Sequence, residues 1–294
     1  MGVKSGFVSI IGRPNVGKST FLNTVIGQKI AIVSDKPQTT RNRIQGIYTS
    51  ESGQIIFIDT PGIHRPRNRL GEYMVGVAQA TVRDADVILY MVDAADTSRS
   101  GPEFISEAFS KSSIPVFLVV NKIDLVDQEQ VEACVQRYRS QLRFAEVMPI
   151  SAVLGTNVNV LVNKILDYLP EGPYYYPLDE VTDQPERFIV GELIREKALY
   201  LTREEVPYSL AVEVEEMKER RGNKAYVRAV IFTERDSQKG IVIGKGGRML
   251  KSIGAAARLD IENLLGLDIY LDLWVKVRKN WRNQEKHLKS LGYK

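Results

Sequence analysis

The sequence predicts two folded domains of different classes. Residues 1–172 read as an α/β domain with a mainly parallel sheet and helices on both faces, and residues 186–294 as an α+β module. Three observations carry this. Short apolar strands alternate with amphipathic helical stretches through the first 170 residues, as when strands are joined by crossover helices. Pro170, Pro173 and Pro177 then surround Tyr174-Tyr175-Tyr176 without helical periodicity, which marks a domain boundary near residue 172 and a linker over 173–185. Beyond it a helical stretch and two alternating segments replace the βα rhythm. A chain of 294 residues, 44% apolar and 26% charged, can bury two cores.

In order, the candidate strands of the first domain are Phe7–Ile11, Ile44–Tyr48, Ile55–Asp59, Val87–Val92, Val116–Val120 and Val147–Ile150. Ser50-Glu51-Ser52-Gly53 reads as a hairpin turn between the second and third. Helices begin near Gly17, Gly71, Pro102, Gln128 and Asn157. The linker tyrosines are expected to pack against one domain. In the second module Arg187–Tyr200 reads as a helix, and Ser209–Glu216 and Ala225–Thr233 alternate about a turn at Lys218–Asn223. An apolar stretch runs to Ile243, followed by the loop Gly244-Lys245-Gly246-Gly247 and a long helix to about Leu265. A strand over Asp268–Val277 and a basic helix from about Asn280 to Leu291 complete the chain.

No apolar run approaches the roughly 20 residues that span a bilayer. Phe7-Val8-Ser9-Ile10-Ile11 leads straight into a glycine-rich loop, unlike a secretory leader. The single Cys134 cannot form an internal disulfide. The expectation is a cytoplasmic monomer. The formal charge is +4, but from Lys239 onward twelve basic residues face five acidic ones, a local excess of +7 that leaves −3 for the rest. That asymmetry favours a polyanionic partner at the C-terminal end.

Gly12-Arg13-Pro14-Asn15-Val16-Gly17-Lys18-Ser19, followed by Thr20, stands between a predicted strand and a predicted helix. Glycines at this spacing let the backbone wrap a phosphate, so that N–H groups and a helix N-terminus face negative charge. Lys18 would bridge β- and γ-phosphates, and the Ser19 hydroxyl would bind Mg²⁺. The base is chosen elsewhere. Asn121-Lys122-Ile123-Asp124 follows the strand Val116–Val120, where Asp124 can accept two hydrogen bonds from guanine N1–H and N2–H₂ that adenine cannot offer. Lys122 can lie across the purine, Asn121 can tie this loop to the phosphate loop, and Ser151-Ala152 can present an N–H to guanine O6. Asp59-Thr60-Pro61-Gly62 ends another strand: Asp59 would hold Mg²⁺ and the Gly62 N–H would sense the γ-phosphate. The polar segment Ser34–Arg41 reads as a switch, with Thr40 chosen to reach Mg²⁺ and Thr39 as the alternative. GTP/GDP and Mg²⁺ are the ligands these residues imply.

The ordered set Gly12–Ser19, Gln38–Arg41, Asp59–Gly62, Asn121–Asp124 and Ser151–Ala152 resembles translation-factor-class GTPases. Pro37-Gln38-Thr39-Thr40-Arg41 and Gly62-Ile63-His64-Arg65-Pro66 resemble the Era family in particular, and the likeness continues into the C-terminal module. It implies slow GTP hydrolysis by Lys18, Thr40, Asp59, Gly62 and Asn15, with no glutamine to orient water. That position is Ile63, an apolar replacement the family shares. Asn15 would help hold a monovalent cation, K⁺, beside the β- and γ-phosphates, or else only brace the loop. His64 more simply faces solvent than acts as a base.

Gly244–Gly247, preceded by Ile241-Val242-Ile243 and followed by a helix carrying Arg248, Lys251 and Arg258, has the layout of a KH domain, type II because its strands come first. Such a loop clamps about four nucleotides of single-stranded RNA, with Lys245, Arg248 and Lys251 neutralising phosphates. Ile241, Ile243 and Ile253 would floor the base groove or belong to the core. Arg278 and Lys279, with Trp281, Arg282 and Lys286, would extend the contact unless Trp281 only packs the last helix. The resemblance implies a target near the 3′ end of small-subunit ribosomal RNA, a role on the 30S-type subunit, and peripheral attachment to the inner face of the membrane. Two rival readings fit less well. A nucleotide kinase would not need Asn121–Asp124, and an RNA-binding protein with a dead nucleotide site would tolerate loss of Lys18, Ser19 or Asp59, all of which are present.

Overall fold

β1 (Lys4–Gly12), β3 (Gly53–Asp59), β4 (Val87–Asp93) and β5 (Val116–Asn121) are apolar along most of their length and almost wholly buried, as strands covered on both faces must be. The computed structural model describes residues 2–63, 66, 68–96 and 113–293. With β2 (Ile44–Ser50) and β6 (Glu146–Pro149) these strands form one sheet in the order β2-β3-β1-β4-β5-β6. Every pairing is parallel except β2 with β3. There Ser50 pairs with Gly53, so the expected hairpin closes over Glu51-Ser52.

Helices α1 (Lys18–Ile26), α2 (Arg69–Arg83), α3 (Gln128–Arg139) and α4 (Val158–Tyr168) belong to this sheet's half of the chain. The start of α3 is written locally. Asp127 accepts the Gln130 N–H at 2.8 Å, and the Gln130 side chain accepts the Asp127 N–H at 3.1 Å, a reciprocal cap of about 1 kcal/mol. The helix expected near Pro102 falls outside the described residues. The linker runs along the otherwise open edge of β2: Ile47 N–H donates to Val181 O at 2.9 Å and Thr182 Oγ1 to Gln45 O at 2.6 Å. Gln54 Oε1 receives the N–H groups of Tyr175 and Tyr176 at 2.8 and 3.0 Å. An edge covered this way cannot recruit a foreign strand.

The rest of the chain contains α5 (Glu186–Leu201), α6 (Val206–Ser209), β7 (Ala211–Arg220), β8 (Lys224–Thr233), α7 (Asp236–Ile243), α8 (Arg248–Leu265), β9 (Asp268–Val277) and α9 (Glu285–Ser290). Its sheet runs β7-β8-β9, antiparallel then parallel. Odd-numbered residues of β8 (Val227, Ala229, Ile231) face a core shared with Val190, Leu193 and Ile194 of α5 and Ile253, Ala257 and Ile261 of α8. The expected C-terminal helix is broken in two. A 3₁₀ turn covers Trp281–Asn283 and α9 has six residues, because Asn280 adopts φ 50° and Gln284 is extended. Trp281 causes the break: its Nε1–H donates to Ser209 O at 2.8 Å and its buried ring stacks on Tyr293.

Two compact units result, Met1–Ala31 with Thr40–Arg65 and Met74–Asp183, and Ile32–Thr39 with Pro66–Tyr73 and Gln184–Lys294. Part of the switch thus belongs to the second unit. Ile32 lies in its core, Val33 N–H donates to Glu196 Oε1 at 2.9 Å, and Lys36 Nζ donates to the Leu199 carbonyl and, at 2.5 Å, to Thr202 O.

Candidate functional site

The carboxyl ends of the parallel strands bring the motif residues of the first unit together, where ligands of open α/β sheets lie. Gly12 ends β1, Asp59 ends β3 in register with Ile10, and Asp93 ends β4 opposite Asn121 of β5. Gly17 has φ 100°, and a Cβ there would lie 2.2 Å from Asn121 Nδ2, so glycine is required for two reasons. Asn121 spans two loops, donating to Val16 O at 2.8 Å and accepting the Ala152 N–H at 2.9 Å. Lys122 takes the left-handed conformation at φ 67° and reaches Asp93 at 2.6 Å. Asp124 is exposed at the end of the strand, next to Ile123, and Ser151 is buried.

The phosphate end is charged and buried. Lys18 is buried, with Nζ donating to Arg13 O at 2.8 Å and to Gly12 O at 3.3 Å. Burial pushes its pKa down to about 8 against the opposing pull of Asp59. Ser19 Oγ stands 2.6 Å from Asp59 Oδ2 and 2.9 Å from Thr40 Oγ1, and Thr40 Oγ1 lies 3.4 Å from the same carboxylate. Thr39 turns away and donates to Lys36 O at 2.6 Å. Of the two threonines, then, Thr40 meets the other candidate metal ligands. Asp59 Oδ1 is buried without a hydrogen-bond partner, and burial raises this carboxyl's pKa despite Lys18, Ser19, Thr40 and Thr60. Three oxygen donors with a spare, desolvated carboxylate oxygen fit a hard divalent cation such as Mg²⁺.

Neighbouring residues divide less evenly. Arg13 is paired with Asp96 at 3.1 Å, Pro14 lies against Gly62, Asn15 is exposed at φ 64°, and Thr60 Oγ1 donates to Ile10 O at 2.8 Å. Thr20 and Pro61 flank these groups and make no polar side-chain contact among the described residues. Ile63, which the resemblance groups with the nucleotide-contacting segment after Gly62, is itself buried. Its side chain packs with Ile11 and Val92 in the core, and its N–H donates to Gly12 O at 3.1 Å. His64 lies outside the described residues. Sequence reasoning missed Asp93, although a carboxylate ending a parallel strand beside Asn121 was a usable signal. A larger cleft of about 840 Å³ along α3 is lined by Asp127, Glu129 and Glu132, the wrong sign for phosphate.

In the second unit, Gly244, Gly246 and Gly247 all have positive φ (73°, 61° and 77°), so Lys245 and Arg248 flank a turn that only glycines make without strain. Beside it a groove of about 520 Å³ is lined by Gly247, Leu250, Lys251, Gly254 and Arg258 on one wall and Ile269, Tyr270, Leu271 and Leu273 of β9 on the other. Ile253 is fully buried in the core, Ile243 packs against it, and Ile241 is 48% exposed. Two basic residues placed with this site differ. Lys279 is exposed, whereas Arg278 lies 3.8 Å above the Phe232 ring and also reaches Ser290 and Glu213. Arg278 is therefore committed within the fold, and buried Trp281 is a packing residue. The β9 wall is not legible in the sequence, since alternation announces a strand but not the identity of its neighbours.

Comparison with known proteins agrees with this geometry. A family described as 50S ribosome-binding GTPase matches residues 7–122, and one described as KH domain matches residues 205–282. An Era variant from Aquifex aeolicus, bound to GDP·AlF₄⁻, is 41% identical with a TM-score of 0.93, and the alignment covers 99% of each chain. An Era in complex with MgGDPNP and nucleotides 1506–1542 of 16S ribosomal RNA is 43% identical with a TM-score of 0.95, again over 99% of each chain.

Proposed function

The chain belongs to the Era family of GTPases, and from that membership we propose that it binds GTP with Mg²⁺, hydrolyses it slowly, and holds single-stranded RNA from the 3′ end of small-subunit ribosomal RNA. The observation that carries the nucleotide half is the meeting of Ser19 and Thr40, from two motifs, at Oδ2 of Asp59 from a third, with the buried Asp59 Oδ1 left over. The groove between α8 and β9, with Lys245, Arg248 and Lys251 beside it, supports the RNA half.

The phosphate-loop N–H groups and Lys18 take the phosphates, and a phosphate restores to Lys18 the charge that burial disfavours. Asp124 selects guanine, while Asn121 holds the loop bearing it in place. Ser19, Thr40 and Asp59 would hold Mg²⁺, which supplies positive charge to the β- and γ-phosphate oxygens when bound. In hydrolysis a water oxygen bonds to the γ-phosphorus as its bond to the β–γ bridging oxygen breaks. Lys18 and the loop N–H groups stabilise charge on the leaving oxygen. With Ile63 turned into the core, no side chain at that position orients the water.

Asn15, exposed on the loop, supports the proposal of a monovalent cation there. Turnover in KCl should exceed turnover in NaCl at equal ionic strength, and equal rates remove the cation. Calorimetry with GTP and ATP tests the whole reading: uptake of GTP alone is expected, and equal affinity overturns it. A part in maturation of the 30S-type subunit and action as a cytoplasmic monomer belong to the same proposal. Peripheral membrane attachment rests on the basic C-terminal segment and is tested by sedimentation with anionic vesicles. Among the described residues no helix is long and apolar enough to cross a membrane.

A further inference from the structure

Among the described residues β9 pairs only with β8, and its other edge borders the groove. Even-numbered residues of β8 and β9 point away from the core, onto the outer face of the sheet. There Tyr270 and Trp274 are 68% and 55% exposed, large apolar areas to leave in water. They are also braced. Tyr270 stacks on its register partner Tyr226, with ring centroids 5.9 Å apart and planes at 17°. The guanidinium groups of Arg220 and Arg228 lie 5.0 and 5.6 Å from the Tyr226 centroid. Tyr226 OH and Arg228 Nε both donate to Asp272, at 2.9 and 3.0 Å.

We propose that this outer face is a second RNA-binding surface, on which unpaired bases leaving the groove over the β9 edge stack on Tyr270 and Trp274. The inference rests on the RNA-binding reading of the groove and extends it beyond the glycine loop. Continuity carries it first, because Tyr270 is both a wall of the groove and the outer end of the stack. A base beside the β9 edge takes the place of a third ring, one strand spacing beyond Tyr270. Stacking of this kind needs no sequence match, since every base offers a π-face. Charge agrees. At the tip of the adjoining β7–β8 hairpin Arg220, Arg221 and Lys224 stand against Glu219, an excess of +2 (3 minus 1), while Lys218 is paired with Glu216 at 2.5 Å.

The two tryptophans make the proposal measurable, because Trp281 is fully buried and Trp274 is not. The probe is a 16S ribosomal RNA fragment spanning nucleotides 1506–1542, titrated against the full chain with a GTP analogue. Binding should quench Trp274 emission and protect it from acrylamide, and Trp274→Phe should abolish the change. Tyr270→Leu and Trp274→Leu, both at exposed positions, should each weaken affinity about tenfold, within the range for losing one stacked base. Lys245→Glu with Arg248→Glu reports separately on the loop. If that pair weakens binding while Trp274 emission and the Tyr270→Leu affinity stay unchanged, the outer-face surface is overturned and the groove reading stands. Absence of any RNA binding overturns both. An emission change that follows protein concentration without RNA would make this face a contact between copies and overturn the proposal.

Discussion

Lys18 is a charge placed where the protein alone compensates it poorly. Its folded-state pKa lies near 8 rather than 10.5 because burial disfavours the ammonium. Between those pH values the unfolded chain binds more protons, so Lys18 makes stability rise with pH across that window. Below about pH 8 both states are protonated and the burial cost is present in full. The interval corresponds to about 3 kcal/mol. In urea unfolding without nucleotide, the wild type should gain about 2 kcal/mol of this over Lys18→Met between pH 8 and pH 10. A constant difference would refute the burial argument. Asp124 supports a second residue-scale prediction. Asp124→Asn exchanges one acceptor for a donor and sets it against a guanine donor, so GTP affinity should fall about 100-fold in calorimetry, within the range for one charged hydrogen bond lost. ATP should remain unbound, as in the wild type.

Elements place these residues. The phosphate loop works because β1 ends at Gly12 and α1 begins at Lys18, with Gly17 leaving room for Asn121 between them. That arrangement was legible in advance, since strand, loop and helix are contiguous in sequence. The same holds for the capped start of α3 and for the glycine loop before α8. The C-terminal helix was not legible: a tie from Trp281 to Ser209, 72 residues away, overrides local periodicity. For the glycine loop, Lys245→Glu with Arg248→Glu should weaken RNA binding at least tenfold and leave GTP affinity unchanged, measured by filter binding and calorimetry on one preparation. Salt should weaken RNA binding less in the variant than in the wild type, since fewer phosphates are neutralised.

At the scale of the molecule, one of the points where the chain passes from one compact unit to the other lies between Thr39 and Thr40. Arg195 donates to the Thr39 carbonyl inside the second unit, while Thr40 Oγ1 meets Ser19 and Asp59 inside the first. One peptide bond therefore joins a residue committed to each. Lys36 secures the segment ahead of it by binding the carbonyls at the C-terminal end of α5, where a cation is favoured. Lys36→Met should leave the fold intact but lower the population in which Thr40 is in place. The Mg²⁺ concentration for half-maximal phosphate release should rise about fivefold, with GDP affinity unchanged. An unaltered Mg²⁺ dependence would mean that this anchoring has no effect on the site.

Residue order alone determined the α/β and α+β division, the strand–loop–helix setting of Lys18, the guanine-reading segment and the glycine turn. Each depends on neighbours in the chain or on a short repeating pattern. Tertiary structure decided which threonine meets Ser19 and Asp59, that Ile63 and Trp281 face inward, that Arg278 is occupied by Phe232, and that Tyr270 stands at the groove. Those outcomes turn on contacts between residues distant in sequence, and hydrophobic periodicity assigns a face to a side chain without naming what it meets there.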